Sequence, residues 1–84
     1  MIILGSSGSI GLNALNLAKE YNLKVDALAC KSSLKVLNAQ IEEFSPKLVY
    51  IDDDSLKPLV NHKFVFSKKD GIEKFLIACD EQSH

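Results

Sequence analysis

Three glycines spaced three apart, Gly5, Gly8 and Gly11, join an apolar run to a helical pattern. Met1–Leu4 (MIIL) is short, continuous and apolar, the pattern of a strand buried on both faces of a parallel sheet. From Gly11 to about Tyr21 the apolar residues recur at helical spacing, and the helix is expected to end near Asn22. The segment GSSGSIG thus lies between strand and helix of a βαβ unit, where a dinucleotide-binding turn is expected. Each glycine has a separate reason. Gly5 permits the sharp turn out of the strand, Gly8 lets the backbone approach a pyrophosphate, and Gly11 lets the helix pack closely. The helix N-terminus presents unpaired N–H groups and the positive end of a dipole, and Ser6, Ser7 and Ser9 add hydroxyl donors. No Gly-Lys-Ser/Thr triplet follows, which argues against a P-loop.

The same alternation continues along the chain. Val25–Cys30 is the second strand candidate, and Ser32 or Ser33 can cap the next helix. Leu34, Leu37, Ile41 and Phe44 form that helix's apolar stripe, and Ser45-Pro46 ends it. Leu48–Ile51 is the third strand. Ser55–Val60 is expected to hold a helical turn and Lys63–Phe66 a short fourth strand. Asp70-Gly71-Ile72-Glu73 has the form of a capping box opening a last helix, with Ile72, Phe75, Leu76 and Cys79 on one face. The predicted fold is α/β: a Rossmann-like parallel sheet with helices on both faces. Right-handed crossovers give the strand order 3-2-1, the N-terminal half of a doubly wound domain.

The end of the second strand bears on cofactor choice. Enzymes that prefer NAD place an acidic residue there, roughly 20 residues past the motif, on the ribose 2′-hydroxyl. This chain has Lys31 there, followed by Ser32 and Ser33. A cation beside two hydroxyls suits a 2′-phosphate, so NADPH is the expected ligand. The plainer alternative makes Lys31 a solvated loop residue and the serines helix caps; both roles can coexist.

Other chemistry-bearing residues read as structural. Asp52–Asp54 follows a strand end and is expected to form a turn and a helix N-cap rather than a metal cluster. Asp80, Glu81 and His84 are metal-ligand types on what reads as a polar, fraying tail. His62 reads as a loop residue. Tyr21 and Lys24 lack the spacing of a Tyr-x-x-x-Lys pair. Cys30 and Cys79 belong to no CxxC or Cys/His cluster; they read as reduced thiols, with Cys30 as strand packing rather than a nucleophile. A net charge of −1 without a basic stripe argues against nucleic acid and anionic membranes as partners. No apolar run reaches the length of a membrane span and no signal peptide is visible, so the expected location is cytoplasmic.

Met1–Gly11, MIILGSSGSIG, resembles the opening of the 1-deoxy-D-xylulose 5-phosphate reductoisomerase family, whose signature reads I-L-G-S-[ST]-G-S-I-G. Weaker similarity continues through Asn13–Leu15, Ala27–Lys31, Asn38–Ile41 and Phe44–Lys47. The resemblance implies that Ser7, Gly8, Ser9 and Ile10 contact NADPH and that the loop at Cys30, Lys31 and Ser32 holds its 2′-phosphate end. The family's Gly-Lys-Asn triplet is here Cys30-Lys31-Ser32, which keeps the charge and loses the glycine. The resemblance further implies conversion of 1-deoxy-D-xylulose 5-phosphate to 2-C-methyl-D-erythritol 4-phosphate in non-mevalonate isoprenoid synthesis, with NADPH, a divalent metal (Mg or Mn) and a homodimeric parent. The family's metal and substrate residues come later in a much longer chain, and none maps onto this one.

The 84 residues are therefore expected to be the N-terminal part of an NADPH-binding domain, with catalytic and C-terminal domains absent and no turnover from this chain alone. In a doubly wound sheet strand one is central, so without a second half Met1–Leu4 presents an open apolar edge. Two other readings are a segment of another NADP-linked reductase, such as an aspartate-semialdehyde dehydrogenase, and a non-catalytic nucleotide-sensing module. The first would need a catalytic cysteine downstream and usually reads G-A-T-G in place of G-S-S-G. The second would have to be stable at this length.

Overall fold

The computed structural model describes residues 1–82. Four parallel strands, β1 (Ile2–Leu4), β2 (Ala27–Cys30), β3 (Leu48–Ile51) and β4 (Val65–Ser67), form one sheet in the order β1-β2-β3-β4. Helices α1 (Ser9–Glu20) and α2 (Leu34–Phe44) connect the first three strands, a 3-10 helix (Asp54–Leu59) leads to β4, and α3 (Ile72–Gln82) follows it. This is the partial Rossmann-like α/β fold that the alternation predicts.

Side-chain period 2 sorts each strand's residues between two cores. Register pairs Ile3 with Leu28 and Leu28 with Val49, and these residues, with Cys30 and Ile51, pack under α1 and α2 against Leu15, Ala18, Leu37 and Ile41. The alternate residues Ala27, Ala29, Leu48 and Tyr50 face α3, where fully buried Phe75 and Cys79 cover them. Phe75 lies 5.5 Å from the Tyr50 ring and 5.8 Å from that of Phe66. Two helices therefore cover one face and one covers the other.

The strands differ in burial as their places in the sheet require. All four residues of β2 and of β3 are buried, which fits their continuous apolar sequences. β1 is not buried on both faces; it presents the open apolar edge expected of this segment without a second half. It is an edge of this sheet, and only Ile3 is buried, while Ile2 and Leu4 are exposed.

Local chemistry sets the helix ends. α1 starts at Ser9, two residues before the sequence pattern suggests, with Gly8 as its N-cap. It ends at a Schellman turn: Asn22 takes φ 55, Asn22 N–H donates to Lys19 O, and Leu23 N–H donates to Ala18 O. α2 stops where Ser45 turns left-handed ahead of Pro46. Asp80 and Glu81, read from the sequence as a polar tail, lie within α3; His84 lies outside the described residues.

The capping box predicted at Asp70–Glu73 is not the arrangement found. Asp70 Oδ2 accepts from Lys57 Nζ (2.7 Å) and from Ser67 N–H (3.0 Å), so it ties the β4 turn to the 3-10 helix. Gly71, at φ 93, supplies the backbone conformation that precedes α3. The Lys57 ammonium, and next the Ser67 amide, hold the Asp70 carboxyl below its ordinary pKa. A depressed folded value means that this stabilisation is present above the unfolded carboxylate pKa and is lost as pH falls through the folded one. Thermal midpoints measured on either side of about pH 4 should thus fall less steeply with acid in Asp70→Asn than in the parent. Equal acid slopes would show that the contact carries no stability.

Candidate functional site at the carboxyl ends of the strands

The glycine turn is held by backbone. Gly5 leaves β1 at φ 71, a left-handed conformation, and its carbonyl accepts from Gly8 N–H at 3.0 Å. Ser6 N–H continues the sheet pairing by donating to Ala29 O at 2.8 Å. A Cβ on Gly11 would stand 2.2 Å from Gly5 O and 2.8 Å from Ser6 Cα. Gly11 therefore lets α1 seat directly on the turn. Gly8 is different: it is exposed, its backbone is extended (φ −86, ψ 170), and a Cβ there would meet only Gly5 O at an ordinary 3.5 Å. The folded chain does not itself require a glycine at position 8.

What the turn presents is a set of unspent donors. The first helical bond of α1 runs from Leu12 N–H to Gly8 O, so the amides of Ser9, Ile10 and Gly11 have no partner within the helix. No side chain caps this end and no acidic residue lies in its first turn. The helix terminus thus keeps its partial positive charge for an external anion. Ser9 and Ile10 are exposed beside Gly8, and Ser7 is half-buried. Ser6 corrects the expectation of a third hydroxyl donor: it is fully buried and its hydroxyl faces inward, because its peptide is pinned to β2.

The second half of the site is the end of β2. Lys31, Ser32 and Ser33 are exposed there. Ser33 occupies the N-cap of α2 without a side-chain capping bond, so capping does not consume its hydroxyl. Cys30 is buried in the core, and burial pushes its thiol pKa up while the Ser33 amide pulls weakly the other way. Its side chain is packing, as its sequence position suggests, and only its backbone belongs to the loop.

A cleft of about 380 Å³ lies between the two halves, lined by Leu4, Gly5, Ala29, Lys31, Tyr50 and Ile72 among others. A second, of about 430 Å³, continues past Lys31 and Ser32 to Asp52–Asp54 and Lys68. The three aspartates are engaged locally. Asp52 accepts from Tyr50 OH (2.9 Å), Asp53 from Ser55 N–H (3.0 Å), and Asp54 from Lys69 N–H (2.8 Å). They form the turn and N-cap that the sequence suggests, and no group of three or more metal-ligating side chains occurs among the described residues. Burial first, and then Asp52, push the Tyr50 phenol up to about 12. A third cleft, of about 400 Å³, lies between Pro46–Leu48 and His62–Phe64, away from every motif residue. His62 serves structure there: Nδ1 accepts from Phe64 N–H and Nε2 donates to Pro46 O.

Sequence reasoning missed Gln40, which donates from α2 to the Ser6 carbonyl at 2.8 Å. The signal was present in the helical spacing, since position 40 follows Leu37 by three and precedes Phe44 by four and so falls on the buried stripe. It also missed Tyr50 and Ile72 as cleft walls, because pairing and packing bring them there from distant segments.

The profile of the family described as 1-deoxy-D-xylulose 5-phosphate reductoisomerase matches residues 1–81. Proteins of that name from Campylobacter fetus and Campylobacter hominis are 60% and 49% identical to it, over 98% and 99% of this chain. One from Helicobacter pylori is 42% identical over 94%. The chain spans 23% of the length of the two Campylobacter relatives and 22% of the Helicobacter one. A glycine turn seated on α1, a lysine loop after β2 and similarity over nearly every residue lead to one assignment: the chain belongs to the 1-deoxy-D-xylulose 5-phosphate reductoisomerase family.

Proposed function

We propose that this chain is the NADPH-binding segment of a reductoisomerase that converts 1-deoxy-D-xylulose 5-phosphate to 2-C-methyl-D-erythritol 4-phosphate. The observation that carries the reading is Gly8, a glycine that the fold does not need, exposed at a helix N-terminus whose amides are unspent. A pyrophosphate approaching that backbone supplies the missing reason for glycine, and it meets the Ser9, Ile10 and Gly11 amides at the positive end of α1. Lys31, with Ser32 and Ser33, receives the 2′-phosphate, and the cleft between turn and loop accommodates the adenosine between them. Bound there, the cofactor supplies a hydride; these residues bind and orient it.

Substrate and divalent metal belong to parts of the enzyme outside this segment. The side chains to receive those parts are on the surface. Ile2 and Leu4 on the free edge of β1, and Ile10 and Leu17 on α1, are exposed apolar residues. A second half of the sheet pairing with β1 would cover them.

Titration with NADPH and NADH, followed by calorimetry, tests the cofactor reading. NADPH should bind more tightly, and Lys31→Glu should reduce that preference about tenfold, roughly the effect of one charge-assisted contact to the 2′-phosphate. Equal affinities for both cofactors in a protein shown folded by circular dichroism would refute the 2′-phosphate assignment.

A further inference from the structure

The glycine turn is fastened from a second direction by a residue that is no part of its motif. Gln40 lies on α2, 6% exposed, and its Nε2 donates to the Ser6 carbonyl across 34 residues of sequence. Ser6 is thus held from both sides, its N–H donating to Ala29 O of β2 and its carbonyl accepting from Gln40 of α2.

Gln40 supplies the buried Ser6 carbonyl with a donor, and in doing so it also fixes that carbonyl's direction. Leu37 and Ile41 beside it are buried and apolar, and an apolar side chain at position 40 would extend the same core. The polar groups here are incompletely satisfied: Gln40 Oε1 and the Ser6 hydroxyl are both buried without a hydrogen-bond partner. Buried amide atoms of that kind cost stability. Leucine or methionine would provide neither that donor nor a fixed direction for the Ser6 carbonyl.

That direction matters to the site. With the Ser6 carbonyl held by Gln40 and Gly8 N–H bonded to Gly5 O, the path into α1 is set, and its first residues Ser9 and Ile10 are exposed. α2 also begins directly after Lys31–Ser33, so one helix carries both the 2′-phosphate loop at its start and the clamp on the turn further along. We propose that Gln40 is a positioning residue: it holds the glycine turn to α2, and so fixes the turn's amides relative to Lys31 at the spacing of one NADPH. This rests on the NADPH reading above.

Gln40→Met keeps the length of the side chain and removes the donor. Amide hydrogen exchange at Ser6 and Gly8 should then accelerate about tenfold or more relative to the parent protein, the consequence of an unsatisfied buried carbonyl loosening the turn. Affinity for NADPH should fall about tenfold. Ile41→Val, a neighbouring core change that does not touch the turn, should lower the thermal midpoint without either effect, which separates positioning from general destabilisation. Gln40→Glu provides a test that stands if Gln40→Met does not fold. Ionised, its carboxylate faces the Ser6 carbonyl without a proton to donate; protonated, it donates one. Its affinity for NADP+ relative to the parent should therefore recover as pH is lowered from about 8 toward about 5. Unchanged exchange and affinity in Gln40→Met, or a Gln40→Glu deficit that ignores pH, would overturn the positioning role and leave the cofactor reading intact. Failure of the parent protein to bind NADPH would instead overturn the cofactor reading, and exchange at Ser6 and Gly8 would decide the clamp by itself.

Discussion

Replacing Gly11 by alanine should destabilise the protein by about 2 kcal/mol or more, although alanine is the better helix former. Intrinsic propensity favours the substitution by up to about 1 kcal/mol. The added methyl group meets Gly5 O at 2.2 Å and Ser6 Cα at 2.8 Å, and both are backbone atoms held in place by bonds to Gly8, Ala29 and Gln40. None can rotate away as a side chain would. Relief requires α1 to lift off the turn; overpacking costs about 1–3 kcal/mol and occasionally more, and with both contacts under 3.0 Å and made to backbone the cost falls at or above the top of that range. A domain of this size has a total stability of roughly 4–13 kcal/mol. The thermal midpoint, followed by circular dichroism, should drop by about 8–16 °C. An unchanged midpoint would show that α1 does not seat on the turn as described.

Gly8 should behave in the opposite way. Gly8→Ser introduces a Cβ at an ordinary 3.5 Å from Gly5 O, on a backbone of φ −86 that any residue adopts. Serine is also a preferred N-cap, so stability should stay within a few tenths of a kcal/mol of the parent. Binding is where the cost falls. The side chain stands where the pyrophosphate must approach, and its hydroxyl is drawn to the helix amides that would otherwise serve the phosphates. Hydrogen bonds to a charged group contribute about 1.5–3 kcal/mol each. The dissociation constant for NADPH should rise about a hundredfold, equivalent to about 2.7 kcal/mol. Retained affinity in Gly8→Ser would remove the pyrophosphate from this turn. The two substitutions divide the motif: Gly11 serves the fold, and Gly8, on the proposed reading, serves the cofactor.

Much of this architecture was legible in the sequence because it is local. Val25–Cys30 marked the region of β2 and the apolar run Leu48–Ile51 marked β3, the stripe through Leu34, Leu37, Ile41 and Phe44 marked α2, and Ser45-Pro46 marked its end. The glycine spacing between strand and helix located the candidate site, and Lys31 after β2 indicated its polarity. Errors arose where a local signal competed with a distant partner. Asp70 has the spacing of a capping box, but Lys57 and Ser67 outbid the helix amides for its carboxylate. Ser6 was expected beside its sister serines as a donor, yet its pairing with Ala29 turns the side chain into the core.

The sequence by itself determined the strand–helix alternation, the glycine turn and the cation beside it, since these follow from side-chain periodicity and from the backbone freedom of residues near one another in the chain. Only the tertiary structure decided which glycine the fold itself requires, and that Gln40 reaches 34 residues back to hold Ser6. Those outcomes depend on which backbone atoms come within a few ångströms of one another after the sheet has assembled, and no local pattern encodes that distance.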